Sequence, residues 1–191
     1  MNAQGVAAAF AVGLLLAIVL YVAVVSYNAV MSLRQRIDKA WSNIDVVLKQ
    51  RHDQLPALVS AVRGVMAFEQ DVLTEVARAR ANYSPTEPIP DQAVHSDETT
   101  RAVQSLFAVV EAYPEVKSNE NVLDLQAQIE RLESMIADRR ELYNESVNLN
   151  NIRLQTFPDL IVARQFDFRQ ASLLEFAEEQ RRDVNLEKLF G

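Results

Sequence analysis

The sequence predicts an all-α protein: a single N-terminal transmembrane helix followed by an antiparallel four-helix bundle with long helices. Three observations predict it. Val6 to Val25 (VAAAFAVGLLLAIVLYVAVV) contains no charged residue. From Tyr27 onward, apolar residues recur at spacings of three, four and seven, the period of an amphipathic helix rather than a strand. The 191 residues include only four glycines and six prolines, and most of the prolines stand between the periodic stretches.

The apolar run comes first. Twenty residues at about 1.5 Å each cover about 30 Å, the thickness of a bilayer's hydrocarbon core. A cleaved signal peptide would carry a basic n-region and a shorter apolar core. Met1 to Gly5 has no basic residue, so the run reads as a retained anchor that contacts the lipid bilayer through Val6 to Val25. No Lys or Arg precedes it, whereas Arg34, Arg36 and Lys39 follow it closely. The positive-inside rule then places the N-terminus outside and the rest of the chain in the cytoplasm of a single-pass cell-membrane protein. The chain divides into an anchor segment (1–26), a helical domain (27–168) and an amphipathic tail (169–191).

The first amphipathic stretch runs from Tyr27 to Val59. Val30, Leu33, Ile37, Trp41, Ile44, Leu48, Leu55 and Leu58 share one face, and Asp45 stands four residues before Lys49 in the order that favours a surface pair. No breaker separates Val25 from Trp41, so anchor and first helix read as one rod. Pro56 lacks a donor and clashes with the preceding turn. The stripe nevertheless resumes in phase through Val62, Val65 and Met66 to Val76, which leaves a kink or a tight hairpin. Three prolines between Pro85 and Pro90 predict a flexible connection. A helix is expected over about 97–112, stopped by Tyr113-Pro114. Asn119 is placed to cap the longest helix, whose stripe passes through Val122, Ile129, Ile136, Tyr143, Val147 and Leu154 before Phe157-Pro158 closes it. Leu160 to Phe168 is short and apolar, and Ser172 is positioned to cap a further helix carrying Leu173, Phe176 and Ala177.

The same residues carry a resemblance. Ala40-Trp41, Ser42 to Val46, Leu48-Lys49-x-Arg51 and Leu55-x-x-Leu58-Val59 resemble the opening signature of the LemA family. Gly64, Glu69, Ala77 to Arg80, Leu106 to Asn121, Glu133, Tyr143-Asn144, Val147, Asn151 and Thr156 to Pro158 follow in the family's order. The resemblance covers roughly residues 20 to 170. It implies a membrane-anchored helical bundle with no generally established biochemical activity. It fades in the tail, where Asp167 occupies a place in which relatives usually show glycine between phenylalanines.

Composition narrows the function. A net charge of −7 argues against nucleic acid, whose phosphates need a basic surface. There is no cysteine, hence no thiolate metal site and no nucleophilic thiol. Di-iron bundles use Glu-x-x-His pairs, but His52 and His95 have no Glu three positions before them. The sequence therefore points to no cofactor, no metal and no catalytic residue. Polar residues on or beside the apolar stripes are the candidates for structural or interaction roles: Glu69, Glu133, Arg139, Asn144 and Asn151, with Asp45 and Trp41. Glu69 is expected to pair with Arg139, and Glu133 with a base such as Arg63. Asn144 and Asn151, seven apart, suggest an inward amide ladder, and Trp41 a core anchor or an interface residue.

The expected role is a non-enzymatic scaffold or adaptor that holds partner proteins, or its own copies, at the membrane. Two readings from other classes stand beside it: an accessory subunit of a membrane protease or quality-control system, and a self-assembling membrane-remodelling coat.

Overall fold

Among the described residues six helices form, because apolar stripes at helical spacing alternate with prolines and caps that stop them. The computed structural model describes residues 3–63 and 69–174. Helix α1 spans Ala3–Arg63, α2 Gln70–Ala81, α3 Ile89–Val110, α4 Pro114–Lys117, α5 Glu120–Gln155 and α6 Asp159–Gln165. The described residues contain no strand.

Pro56 lies inside α1, which carries on to Arg63, so the hairpin alternative is excluded. Pro56 is exposed. On that side water can satisfy the carbonyl that its missing N–H leaves unpaired. The prolines near residue 90 also behave differently from the expectation. Helix α3 begins at Ile89, with Pro88 as its N-cap residue and Pro90 in its first turn, well before the expected start near 97. Proline is tolerated there because first-turn N–H groups have no partner within the helix. The cap at Asn119 forms as expected: its Oδ1 accepts from the backbone N–H of Asn121 at 3.0 Å and of Val122 at 3.4 Å.

The chain folds as two compact units. One comprises the described residues of 42–141, together with Leu174. Its apolar core draws Leu55, Leu58 and Val62 from α1, Leu73 and Val76 from α2, Val103, Leu106 and Val110 from α3, and Val122 and Ile129 from α5. Val116 of the short α4 closes it. Each of these helices buries only a stripe, so none is stable without its neighbours.

The other unit comprises residues 1–41 and 142–173. Val30 of α1, Leu154 of α5 and Ala163 of α6 form a small core against which Phe168 packs. Helix α6 ends in a Schellman turn: the N–H of Phe168 reaches the Ala163 carbonyl at 2.9 Å, and Asp167 adopts a left-handed φ of 50°. Beyond it the chain runs extended beside α5. Asn151 holds Ala171 by two backbone contacts, donating to its carbonyl at 2.9 Å and accepting from its N–H at 3.0 Å. Ser172 has no helix after it as far as residue 174. The rest of the tail expected from 169 to 191 lies outside the described residues.

Candidate functional site

The polar residues of the larger unit converge on Arg51, which stands on the same stripe of α1 as Ile44, Leu48 and Leu55. Its side chain is 3% exposed. Its Nη1 donates to Glu133 Oε1 of α5 at 2.7 Å and to Thr100 Oγ1 of α3 at 2.8 Å. Its Nη2 donates to the Ser96 hydroxyl at 2.9 Å and the Ser96 carbonyl at 3.1 Å. Thr100 Oγ1 lies 2.8 Å from the other Glu133 oxygen. Burial pushes the Arg51 guanidinium below its ordinary pKa, and the Glu133 carboxylate acts against that shift. A planar fork with donors on both arms suits such a junction; a lysine ammonium does not.

A second arginine repeats the arrangement. Arg140 of α5 donates to Asp97 and, at 3.1 Å, to the Ala93 carbonyl, both on α3. The N-terminal half of α3 thus buries Gln92, Ser96 and Thr99, whereas its C-terminal half buries Val103, Leu106 and Val110.

Around this junction the predicted pairings are redrawn. Glu69 accepts from the Tyr113 hydroxyl at 2.9 Å, while Arg139 donates to the backbone carbonyl of Asn43. The expected Glu69–Arg139 pair is thus replaced by a bond from each to another group, and Glu133 pairs with Arg51 rather than Arg63. Glu69 immediately precedes α2, within reach of Tyr113 just before α4, where the α5 face bearing Arg139 does not come. Asp45, expected to meet Lys49, accepts from the Tyr83 hydroxyl at 3.1 Å. Burial first, and Asp45 second, push the Tyr83 phenol up to about 12. The ring of His52 lies 4.9 Å from that of Tyr83.

In the smaller unit Trp41 packs edge-on against Tyr143 with ring centroids 6.0 Å apart, and it is half-buried rather than a sealed core anchor. Asn151 gives both ends of its amide to the Ala171 backbone and so fastens the extended segment. Sequence reasoning missed Arg51 and Arg140. The signal for Arg51 was its in-phase place on the α1 stripe, inside the Leu48-Lys49-x-Arg51 motif. Arg140 stood one residue beyond Arg139, which was chosen instead.

An open concavity lies in the larger unit as well. A groove of about 550 Å³ runs between α1 and α2, floored by Leu55, Val59, Leu73 and Val76, with Arg63 and Arg80 at its rim. The Arg80 Nε is buried with no hydrogen-bond partner among the described residues. No group of three potential metal ligands converges among the described residues.

These features define a class: an all-helical protein with one exposed apolar N-terminal helix and helices clamped by buried arginines. The match to the LemA family model extends over residues 40–187, and the chain belongs to the LemA family. That family is not known as an enzyme family. No curated protein matches this chain.

Proposed function

We propose that this protein is a non-enzymatic membrane scaffold or adaptor, anchored by α1 with its N-terminus outside and its helices in the cytoplasm. One observation carries the reading. The apolar segment of α1 has none of its most hydrophobic window buried, yet the same helix continues without a break into the folded domain. Apolar surface of that extent is costly in water, and a bilayer is the solvent that suits it. The helices downstream form an antiparallel bundle in this reading. Its support is that Asn43 meets Arg139 and Arg51 meets Glu133, rising along α1 while falling along α5. The groove rimmed by Arg63 and Arg80 then suits an amphipathic segment of a partner protein carrying a carboxylate, because the buried Arg80 Nε lacks an acceptor and a cationic donor favours an anionic one.

The absence of cysteine makes sidedness directly testable. In Thr86→Cys, in the exposed α2–α3 connection, a membrane-impermeant maleimide should label inverted vesicles and spare intact cells. Labelling of intact cells overturns the orientation. Full-length protein on liposomes should remain a small oligomer. Growth into a lattice that tubulates the liposomes supports the coat reading, and co-isolation with a membrane protease that loses substrate turnover without this chain supports the accessory reading.

A further inference from the structure

The corner joining α5, α6 and the extended segment carries large apolar side chains that stand exposed among the described residues. Phe157 is 79% exposed, Ile161 60% and Phe166 57%. Most domains hide such residues, and three within ten positions mark an interaction surface.

Their position identifies what covers them. Tyr143 of α5 packs on Trp41 of α1, and Leu154 shares a cluster with Val30. As α5 proceeds, its partners on α1 therefore move toward the apolar run, and the chain beyond Leu154 arrives where that run ends. The Phe166 ring lies 5.0 Å from Tyr27 and the Phe168 ring 5.7 Å from it. Tyr27 stands two residues after Val25, or about 3 Å along a helix. The exposed corner is thus level with the boundary at which a spanning α1 leaves the hydrocarbon. Its polar residues suit that depth. The Arg34 guanidinium lies 4.9 Å from the Phe168 ring centroid, and Arg164 on α6 is exposed. Apolar and aromatic side chains flanked by arginines are the composition of segments that lie in the headgroup layer.

We propose that the α5–α6 corner is a second membrane contact, in which Phe157, Ile161 and Phe166 enter the bilayer interface and Arg34 and Arg164 meet lipid phosphates. The contact rests on α1 being a retained anchor. It gives the unit two points of attachment, which resist rotation and tilt about the single spanning helix.

The test uses full-length, cysteine-free protein carrying one introduced cysteine with a nitrobenzoxadiazole label. It is reconstituted in phosphatidylcholine–phosphatidylglycerol vesicles with or without spin-labelled lipids. Leu16→Cys reports the anchor, Phe157→Cys and Ile161→Cys the corner. Leu142→Cys, 58% exposed but beside the Trp41 level of the unit, is the control. The corner labels should be quenched at least about twofold more than Leu142→Cys, best by shallow spin labels, as interfacial residues are. Quenching at Leu16→Cys without quenching at the corner overturns the inference and leaves the anchor standing. No quenching at Leu16→Cys overturns the anchor itself. Corner labels shielded from iodide but untouched by spin-labelled lipid mean that a protein covers the patch, which also overturns the inference. Circular dichroism of each labelled protein verifies that it is folded.

Discussion

Arg51 Nη1 of α1 lies 2.7 Å from Glu133 Oε1 of α5, and the other arm of the same guanidinium holds Ser96 of α3. One side chain therefore joins three helices at a point where apolar packing gives way to polar contact. Arg51→Met should lower the unfolding free energy by about 3 kcal/mol, because it leaves the partly buried Glu133 carboxylate without its counter-charge. Arg51→Lys should recover only part of the loss, since an ammonium lacks the fork. The double variant Arg51→Met/Glu133→Leu should be closer to the parent than the sum of the singles, with a coupling of about 1–3 kcal/mol. Urea unfolding of the full chain in mild detergent measures all three, and strict additivity would show that the pair contributes nothing.

Glu69 and Arg139 should be energetically independent, since Glu69 bonds to Tyr113 and Arg139 to the Asn43 carbonyl. A double-mutant cycle with Glu69→Gln and Arg139→Met should return coupling within about 0.5 kcal/mol of zero. The corresponding cycle with Glu69→Gln and Tyr113→Phe should show a small favourable coupling, as one hydrogen bond between them supplies. A reversal of the two results would restore the pairing expected from the sequence.

The Tyr83 phenol, pushed up to about 12 from an ordinary 10.0, links stability to alkaline pH. Its folded pKa exceeds its unfolded one, so its stabilising contribution is complete below pH 10 and disappears as pH rises toward 12. The urea midpoint should therefore fall across that window. Asp45→Asn should bring the Tyr83 titration, followed by phenolate absorbance, part of the way back. Burial is the larger cause, and the remainder of the shift should persist. A Tyr83 titration near 10 in the parent protein would mean that neither the burial of the phenol nor its Asp45 contact holds.

Asp167 holds a left-handed φ of 50° at the end of α6. Asp167→Gly should be neutral or stabilising by up to about 1 kcal/mol, because glycine adopts this conformation without steric cost. Asp167→Val should lose about 1–2 kcal/mol from the clash of a branched Cβ with the backbone. Thermal unfolding compares them, and equal stability of the two variants would mean that the Schellman turn is not formed.

This last residue also shows where sequence reading and structure meet. Asp167 first stood out only as a departure from the glycine that relatives show there. The Schellman turn supplies the reason for that glycine, since the backbone must reverse to bring Phe168 back onto Ala163 and Tyr27.

By itself the sequence determined the helical class, the apolar run, the caps at Asn119 and Phe157-Pro158, the core stripes and the family. Those properties depend on residue spacing along one chain, and a period of 3.6 or a twenty-residue uncharged run is visible without a partner. Helix α3 began earlier than expected, because proline breaks a helix interior but is at home in a first turn, and only the start point tells the two apart. The pairings were decided by tertiary structure alone. Glu69, Glu133 and Arg139 were recognised as polar residues near buried faces, yet each chose a different partner from the one expected. Which charge meets which depends on the rotation and register of packed helices, and a shift of one residue turns a side chain by about 100°. The exposed corner at Phe157, Ile161 and Phe166 belongs to the same kind of property. In the sequence Leu160 to Phe168 is only a short apolar segment, and the fold shows that Ile161 and Phe166 stand exposed beside Phe157 among the described residues.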